Sequence, residues 1–388
     1  MDRDLQERVI EAQALVRAGK SRAALESLLA LKSSSEGHVD LHLNLAMIHR
    51  QLGELNQALA ALDQVLAHDP YSFIALLSKG SVLEQMGSPR RAAEVYKNAL
   101  KIAPNADRLP LSLRGPVAQA QMVVQAQNAQ LYQDLKTHID EFLEKETSGE
   151  VRSRIEGSLE LLTDRSRQYH SQAIQLQYPE LPAVPFFDRS HFPWLPQLEA
   201  ESGSIKQELI AFLESRKEGF SPYVAYAPGT PENQFAELNH SNRWQSLWLW
   251  KDGVAQPDVQ ASFPKTTDLL KCLPLCDQPG FAPTALFSAL APKTKIPPHT
   301  GSTNVRALVH LPLILPGPAH FRVGNKTRSW RFGEAWVFDD TIEHEAHNDA
   351  DETRFILIFD VWNPFISELE KGAVTHLLQK YRSWLRSE

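Results

Sequence analysis

Apolar positions along the chain fall into two regimes. Up to about residue 177 they recur at helical spacing; beyond residue 178 they come in short runs broken by turn residues. The first hundred residues also repeat. Gly19, Gly53 and Gly87 follow one another at a 34-residue step, and Ala24, Ala58 and Ala92 keep the same step. Pro70 and Pro104 do so too, and Leu28, Leu62 and Tyr96 fill an equivalent large apolar slot. Each unit reads as a pair of helices. Glycine makes the turn between them, alanine lets them approach, and proline stops the second. The first unit lacks the terminal proline, as an end unit can.

That period is the tetratricopeptide signature. It predicts a short solenoid with a concave face, which serves as a scaffold, a dimerisation surface or a peptide-binding groove. From Leu111 to Gln177 the helical pattern continues without the repeat, over Val117 to Leu143 and Val151 to Leu176. This predicts a helical bridge that caps the array, or a fourth degenerate repeat. The run Tyr178-Pro179-Glu180-Leu181-Pro182 then rules out helix. One helix is predicted over Ile205 to Arg216, with Ser204 as N-cap and Gln207 at the capping-box position. Short β runs follow: Trp244 to Trp250, Thr284 to Leu290, Asn304 to Leu315, His320 to Val323, Glu334 to Asp339 and Phe355 to Trp362. Many short strands with turn signals between them predict a sandwich or barrel. Trp244, Trp248 and Trp250 read as one strand face, more core than platform. Ser367 to Arg386 reads as a closing amphipathic helix. The expected division is 1–105 for the repeats, 106–177 for the bridge and 178–388 for the β-rich domain.

Composition narrows the function. The 388 residues are 43% hydrophobic, enough for sizeable cores, and the net charge is −7. A mildly acidic chain is poorly suited to nucleic acid, whose phosphates demand clustered Lys and Arg. Cys272 and Cys276 are the two cysteines, too few for a disulfide scaffold or a thiolate metal site. The stretch from Met1 to Arg8 has no apolar run, so no signal peptide is expected. Nor does any run reach the length of a membrane span. The expectation is a reduced, cytoplasmic protein.

The chemistry concentrates at two histidines. His299 opens His299-Thr300-Gly301-Ser302-Thr303-Asn304, and His344 lies in Phe338-Asp339-Asp340-Thr341-Ile342-Glu343-His344-Glu345; Arg354 follows. A facial Fe(II) site takes His-x-Asp/Glu plus a distal His and leaves places for cosubstrate and dioxygen. Here the third residue is Gly301, which predicts either a broken site or two histidines with water in the third place. Arg306, Leu308 and His310 alternate onto one strand face. Two polar groups on an inward face need partners, which an anionic ligand would provide. Arg354 could instead be an ion-pair partner of Glu343 or Asp360. His347 is expected to point away from His344.

These motifs, with His310 and with Arg354 leading into Asp360-Val361-Trp362-Asn363-Pro364, resemble the aspartyl/asparaginyl β-hydroxylase family of 2-oxoglutarate oxygenases. The resemblance runs closely from Tyr178 to the end, and the animal members also carry tetratricopeptide repeats. It implies an α+β multidomain chain: an all-α repeat array, then a double-stranded β-helix of jelly-roll or cupin-like type. It implies Fe(II) on His299 and His344, and 2-oxoglutarate held by Arg354, Ser288 and His310. Arg306 would face substrate. Asp340 would accept from the water that stands in for the absent ligand, so Gly301 agrees with the family pattern. O₂ is the remaining cosubstrate. The family often has a second Arg two residues after the Arg306 position, where this chain has Leu308. The implied activity is hydroxylation of an Asp or Asn β-carbon in a peptide, held by the repeat array. Three competitors are an oxygenase on a small molecule or acyl chain, a cupin-like enzyme without 2-oxoglutarate, and a non-catalytic peptide-binding protein.

Overall fold

The computed structural model describes residues 3–30, 38–143, 148–215 and 219–385. Met1, Asp2, Arg216 and Arg386, which bounded stretches read from the sequence, lie outside the described residues. Two compact units form, Met1–Ser166 and Arg167–Glu388.

The first unit is built of helix pairs. They are α1 (Arg3–Arg17) with α2 (Ser21–Leu29), α3 (Val39–Gln51) with α4 (Leu55–His68), and α5 (Phe73–Gln85) with α6 (Pro89–Lys101). The 34-residue step is visible in the backbone. Gly19, Gly53 and Gly87 take φ of 73°, 75° and 69°, the left-handed conformation that ends a helix. Space is not the reason, because a Cβ at these positions would meet nothing. The N–H of each donates to the carbonyl three residues back, for example Gly53 to Arg50 at 3.1 Å. Ala24, Ala58 and Ala92 are fully buried at the helix crossings, with Leu28, Leu62 and Tyr96 packed alongside. Gly80 in α5 is a further contact point. A Cβ there would collide with the edge of the Tyr96 ring.

The 32-residue α7 (Leu111–Phe142) and α8 (Gly149–Leu162) follow. The helical spacing through Leu176 is not followed to its end. Thr163 closes α8 by donating its hydroxyl to the Leu159 carbonyl at 2.7 Å, and Asp164 turns left-handed with φ 53°. Residues 171–176 run extended instead, as a strap within the second unit. Their N–H groups donate across the chain: Gln172 to Thr341, Ile174 to Gly301 and Gln175 to Ser302, at 2.8–2.9 Å. Tertiary pairing overrides a helical pattern here.

The second unit is an antiparallel β-rich domain with helices on one face. A seven-stranded sheet has the order β1 (Ser221–Pro222), β2 (Trp244–Lys251), β4 (Ala285–Leu290), β11 (Arg354–Trp362), β6 (Arg306–Ile314), β9 (Trp336–Phe338), with β3 (Val254–Ala255) beside β2. A four-stranded sheet has the order β5 (Thr294–His299), β10 (His344–Asn348), β7 (Ala319–Val323), β8 (Lys326–Ser329). Successive strands from β4 to β11 alternate between the sheets apart from the β7–β8 hairpin, which is the winding expected of a jelly roll. Between the sheets lie Leu290, Phe321, Trp330, Phe338 and Ile356. The far face of the large sheet is covered by α9 (Leu195–Ala200), α10 (Ser202–Ser215) and α12 (Pro264–Cys272), through Leu198, Leu209, Phe212 and Leu270. The short α11 (Pro257–Gln260) precedes α12, and α13 (Glu368–Leu385) closes the chain.

Some local expectations shift. α10 begins at Ser202, so Ser204 sits inside the helix and is no cap; Ile205 already donates to Glu201 at 3.0 Å. A bulge between Trp248 and Trp250 turns Trp250 to the helix-covered face, while Trp244 stays between the sheets. The three tryptophans therefore do not share a face. Among the described residues no helix is long and apolar enough to cross a membrane.

Gly80→Ala is expected to destabilise the repeat unit by about 1–3 kcal/mol through overpacking against Tyr96. A urea or thermal melt followed by helical circular dichroism reads this as a lower midpoint. Gly115→Ala, whose Cβ would be unobstructed, is the control that should not lower it.

Candidate active site

Strand pairing brings the two histidines together. His299 ends β5, His344 begins β10, and the two are Cα partners in an antiparallel pair with an irregularity just after His344. Their ring centroids are 4.1 Å apart at 54°. Each Nδ1 faces a backbone carbonyl, His299 to Pro297 at 2.7 Å and His344 to Ile342 at 3.0 Å. A carbonyl only accepts, so each Nδ1 carries the proton and donates it. The Nε2 lone pairs are left to face outward from these contacts, the usual arrangement for metal-binding imidazoles. Burial pushes both rings below the ordinary histidine range, and the neighbouring His299 adds to this for His344. Both are therefore neutral at physiological pH, the form that binds a cation. Phe235 covers His299 edge-on at 5.1 Å.

The Asp340 carboxyl group, from another loop, lies against the backbone at position 301. A Cβ on Gly301 would collide with the Asp340 carboxyl group. The two residues are also clasped by the backbone, with Gly301 N–H donating to the Asp340 carbonyl at 2.7 Å. Burial pushes the Asp340 carboxyl up to about 7, against the pull of Arg306. Asp339 beside it is occupied, accepting from the Thr341 N–H at 3.0 Å and the Thr341 hydroxyl at 2.5 Å. The Thr341 hydroxyl also contacts Ser171 of the strap at 2.6 Å. The strap thus grips the Gly301 and Thr341 loops at once.

Beyond Phe321, which packs on His344 and stacks on Trp330, lies a buried cluster of unpartnered polar groups. Arg354 is 1% exposed, and its Nε and Nη1 have no hydrogen-bond partner. Glu343 is taken by Arg167 and Arg322, and Asp360 by Arg306, so neither pairs with Arg354. Burial pulls the guanidinium down to about 9. It lies 4.1 Å over the Trp330 ring. His310 Nδ1 and Trp330 Nε1 are also buried and unpartnered. Burial, then the charge of Arg354, pushes His310 well down. Buried polar groups are nearly always paired, so such a cluster is a candidate ligand site. Donors around a cation fit a carboxylate. Ser288 is buried nearby on β4 and accepts from Trp244 Nε1 at 3.2 Å, which leaves its own proton to donate.

Arg306 is already committed to other partners. It is tied to Asp360 at 2.8 Å and to the Phe281 carbonyl at 3.0 Å. His347 points to the outer face and stacks on His320 at 4.3 Å. Sequence reasoning did not single out Trp330, Phe235 or the strap. Trp330 and Phe235 sit in loops without periodicity, and no sequence signal marked them. Among the described residues no group of three or more His, Cys, Asp or Glu side chains converges as metal ligands, so a cation here would rest on two imidazoles.

Residues 199–364 match the family model for aspartyl/asparaginyl beta-hydroxylase, and residues 11–56 and 43–107 match that for the tetratricopeptide repeat. The chain is 29% identical over 202 residues to the ornithine lipid ester-linked acyl 2-hydroxylase of Rhizobium tropici, covering 51% of this chain and 67% of that one. It is 31% identical over 179 residues to the aspartyl/asparaginyl beta-hydroxylase of Homo sapiens, covering 46% of this chain and 22% of that one. The match thus spans about a fifth of the human protein's length. The Yersinia enterocolitica type III secretion translocator chaperone SycD aligns with 31% of this chain and 81% of its own, at 16% identity and a TM-score of 0.29. The region 199–364 belongs to the aspartyl/asparaginyl β-hydroxylase family, and it follows an N-terminal tetratricopeptide-repeat array.

Proposed function

We propose that this chain is an Fe(II)- and 2-oxoglutarate-dependent dioxygenase that hydroxylates the β-carbon of an Asp or Asn side chain in a peptide or protein. The observation that carries the reading is a pair of neutral imidazoles joined through Phe321 and Trp330 to a buried guanidinium with unpartnered donors. His299 and His344 would hold Fe(II); a centroid separation of 4.1 Å suits adjacent places on one ion. When bound, the metal supplies O₂ activation coupled to decarboxylation of 2-oxoglutarate to succinate. The protein supplies placement and charge. Arg354 would take the distal carboxylate of 2-oxoglutarate with two parallel N–H donors, and the Ser288 hydroxyl would donate to the same group. His310 would face the carboxylate nearer the metal. Asp340, titrating near neutrality, would hold or release a proton at the carboxyl oxygen above Gly301, toward water in the third place. Arg306 would act on substrate through the edge of the site, with Asp360 fixing its direction. Phe235 and Trp244 narrow the approach to His299 and limit water. The repeat array would bind the peptide, and the reading places the protein in the cytoplasm with no nucleic-acid or membrane partner.

A second reading is hydroxylation of an acyl chain. It is favoured by the likeness to the ornithine lipid acyl 2-hydroxylase and by Leu308, which is apolar where the family often carries a cation. Mass spectrometry decides between them: one added oxygen should appear on an Asp or Asn of a presented peptide, and not on an acyl chain.

Protein reconstituted with Fe(II) without oxygen, then given 2-oxoglutarate and O₂, should form succinate; His299→Ala should not. Equal silence of both would leave a non-catalytic binding protein. Arg354→Met should raise the melting midpoint of the free protein, worth about 1–4 kcal/mol, because an unpaired buried charge is removed. The same variant should lose its activity and all stabilisation by 2-oxoglutarate; activity left untouched, with no stabilisation by 2-oxoglutarate, would point to a cupin-like reaction without that cosubstrate. Gly301→Ala should displace the Asp340 carboxylate. It is expected to cut succinate formation as deeply as Asp340→Ala does, and a fully active Gly301→Ala would show that Asp340 has no part in the site.

A further inference from the structure

The repeat unit holds two adjoining cavities, of 240 and 350 Å³, that share Arg50, Ile74 and Ser78. The first is lined mainly from α3 and α5, and the second from α5, α6 and the start of α7. They form one groove along the first helices of successive pairs. Solenoids of this kind carry their extended binding surfaces on such a face.

The chemistry of the groove is uneven. Met47 and Ile74 are 39% and 53% exposed, so the groove presents apolar side chains to solvent. Arg50 lies in both cavities and makes no ion pair among the described residues. Its one side-chain contact is a long donation to the Ser81 hydroxyl at 3.5 Å. The groove's carboxylate neighbour, Glu84, is already engaged: it accepts from the Tyr96 hydroxyl at 2.6 Å and from Gln119 at 2.9 Å. Asn44 is engaged as well, accepting from Gln13 at 3.0 Å and donating to the Asp40 carbonyl at 2.8 Å. Glu84 keeps its charge but has its oxygens occupied by neutral donors, whereas the Arg50 guanidinium, set between apolar contacts, has donors left to offer.

We propose that this groove binds an extended peptide segment in which an acidic side chain, seated on Arg50, is flanked by aliphatic residues seated against Met47 and Ile74. A guanidinium with free donors matches a carboxylate in both charge and geometry. This deepens the reading of the array as a peptide-binding surface, and it does not depend on the oxygenase chemistry.

The test is fluorescence anisotropy on the full chain. The probe is a labelled, end-capped Gly-Ser-Leu-Glu-Ile-Leu-Ser-Gly peptide, with a twin in which Glu is replaced by Lys. The acidic peptide should bind about tenfold or more tightly than its twin, the range expected for a hydrogen-bonded charge pair. Arg50→Glu should reverse that order, a result that loss of folding cannot produce; circular dichroism confirms the helices. Ile74→Ser should weaken both peptides together. Equal binding of the twins, an unchanged preference in Arg50→Glu, or no binding of either peptide would overturn the proposal. Succinate formation measured on the same preparations separates this outcome from failure of the oxygenase reading.

Discussion

The site depends on one strand pair. β5 and β10 meet with His299 opposite His344, so the sheet itself sets the distance between the two imidazoles. No long side chain has to reach across a cavity, and little rotamer freedom is left to lose. The carbonyls of Pro297 and Ile342 then fix both tautomers from within two residues of each ring. The surrounding parts secure the loops on either side of that pair. The strap at 171–176 bonds to Gly301, Ser302 and Thr341, and so ties down the chain after His299 and the chain before His344.

Burial acts on every ionisable group there, with different results. It lowers the histidines toward the neutral form, raises Asp340 toward its protonated form and lowers Arg354. Each shift disfavours charge, as expected where water is excluded. Without a ligand the arrangement is therefore costly, Arg354 most of all, since neither nearby acid turns toward it. A cation at the imidazoles and an anion at the guanidinium would each relieve part of that cost. Local destabilisation of this sort is common where a fold is committed to binding rather than to rigidity.

Much of this was legible in the sequence, and the illegible parts have physical causes. The repeat was plain because each helix pair must solve the same turn and crossing, so Gly53 and Ala58 return as Gly87 and Ala92. β2, β4, β6 and β11 were visible as apolar runs because the large sheet is covered on both faces. β5 and β10, the strands that carry the histidines, were not read as strands. β5 contains Pro297 and Pro298, which an edge strand tolerates and a central strand does not. β10 reads His344-Glu345-Ala346-His347-Asn348, polar on both faces, because one face serves the site and the other carries ion pairs to Arg322 and Lys295. The extended strap was hidden for another reason: its helical spacing is real, but its backbone partners lie far along the chain.

The inward face of β6 limits what the site can recognise. Arg306 is spent on Asp360, Leu308 offers only apolar contact, and His310 is held neutral. Arg354 is thus the one cation of this group left to an anion, and a dicarboxylic cosubstrate would consume it. A second carboxylate, such as the side chain of an aspartyl substrate, would meet on that face only Arg306, whose guanidinium is already paired with Asp360. On the proposed reading, contacts elsewhere in the chain would add to the selection of substrate. On the proposed reading, such a site would fix the position of the reacting carbon more firmly than it reads the charge beside it. Hydroxylation would then follow how the substrate is presented more than the chemical character of its side chain.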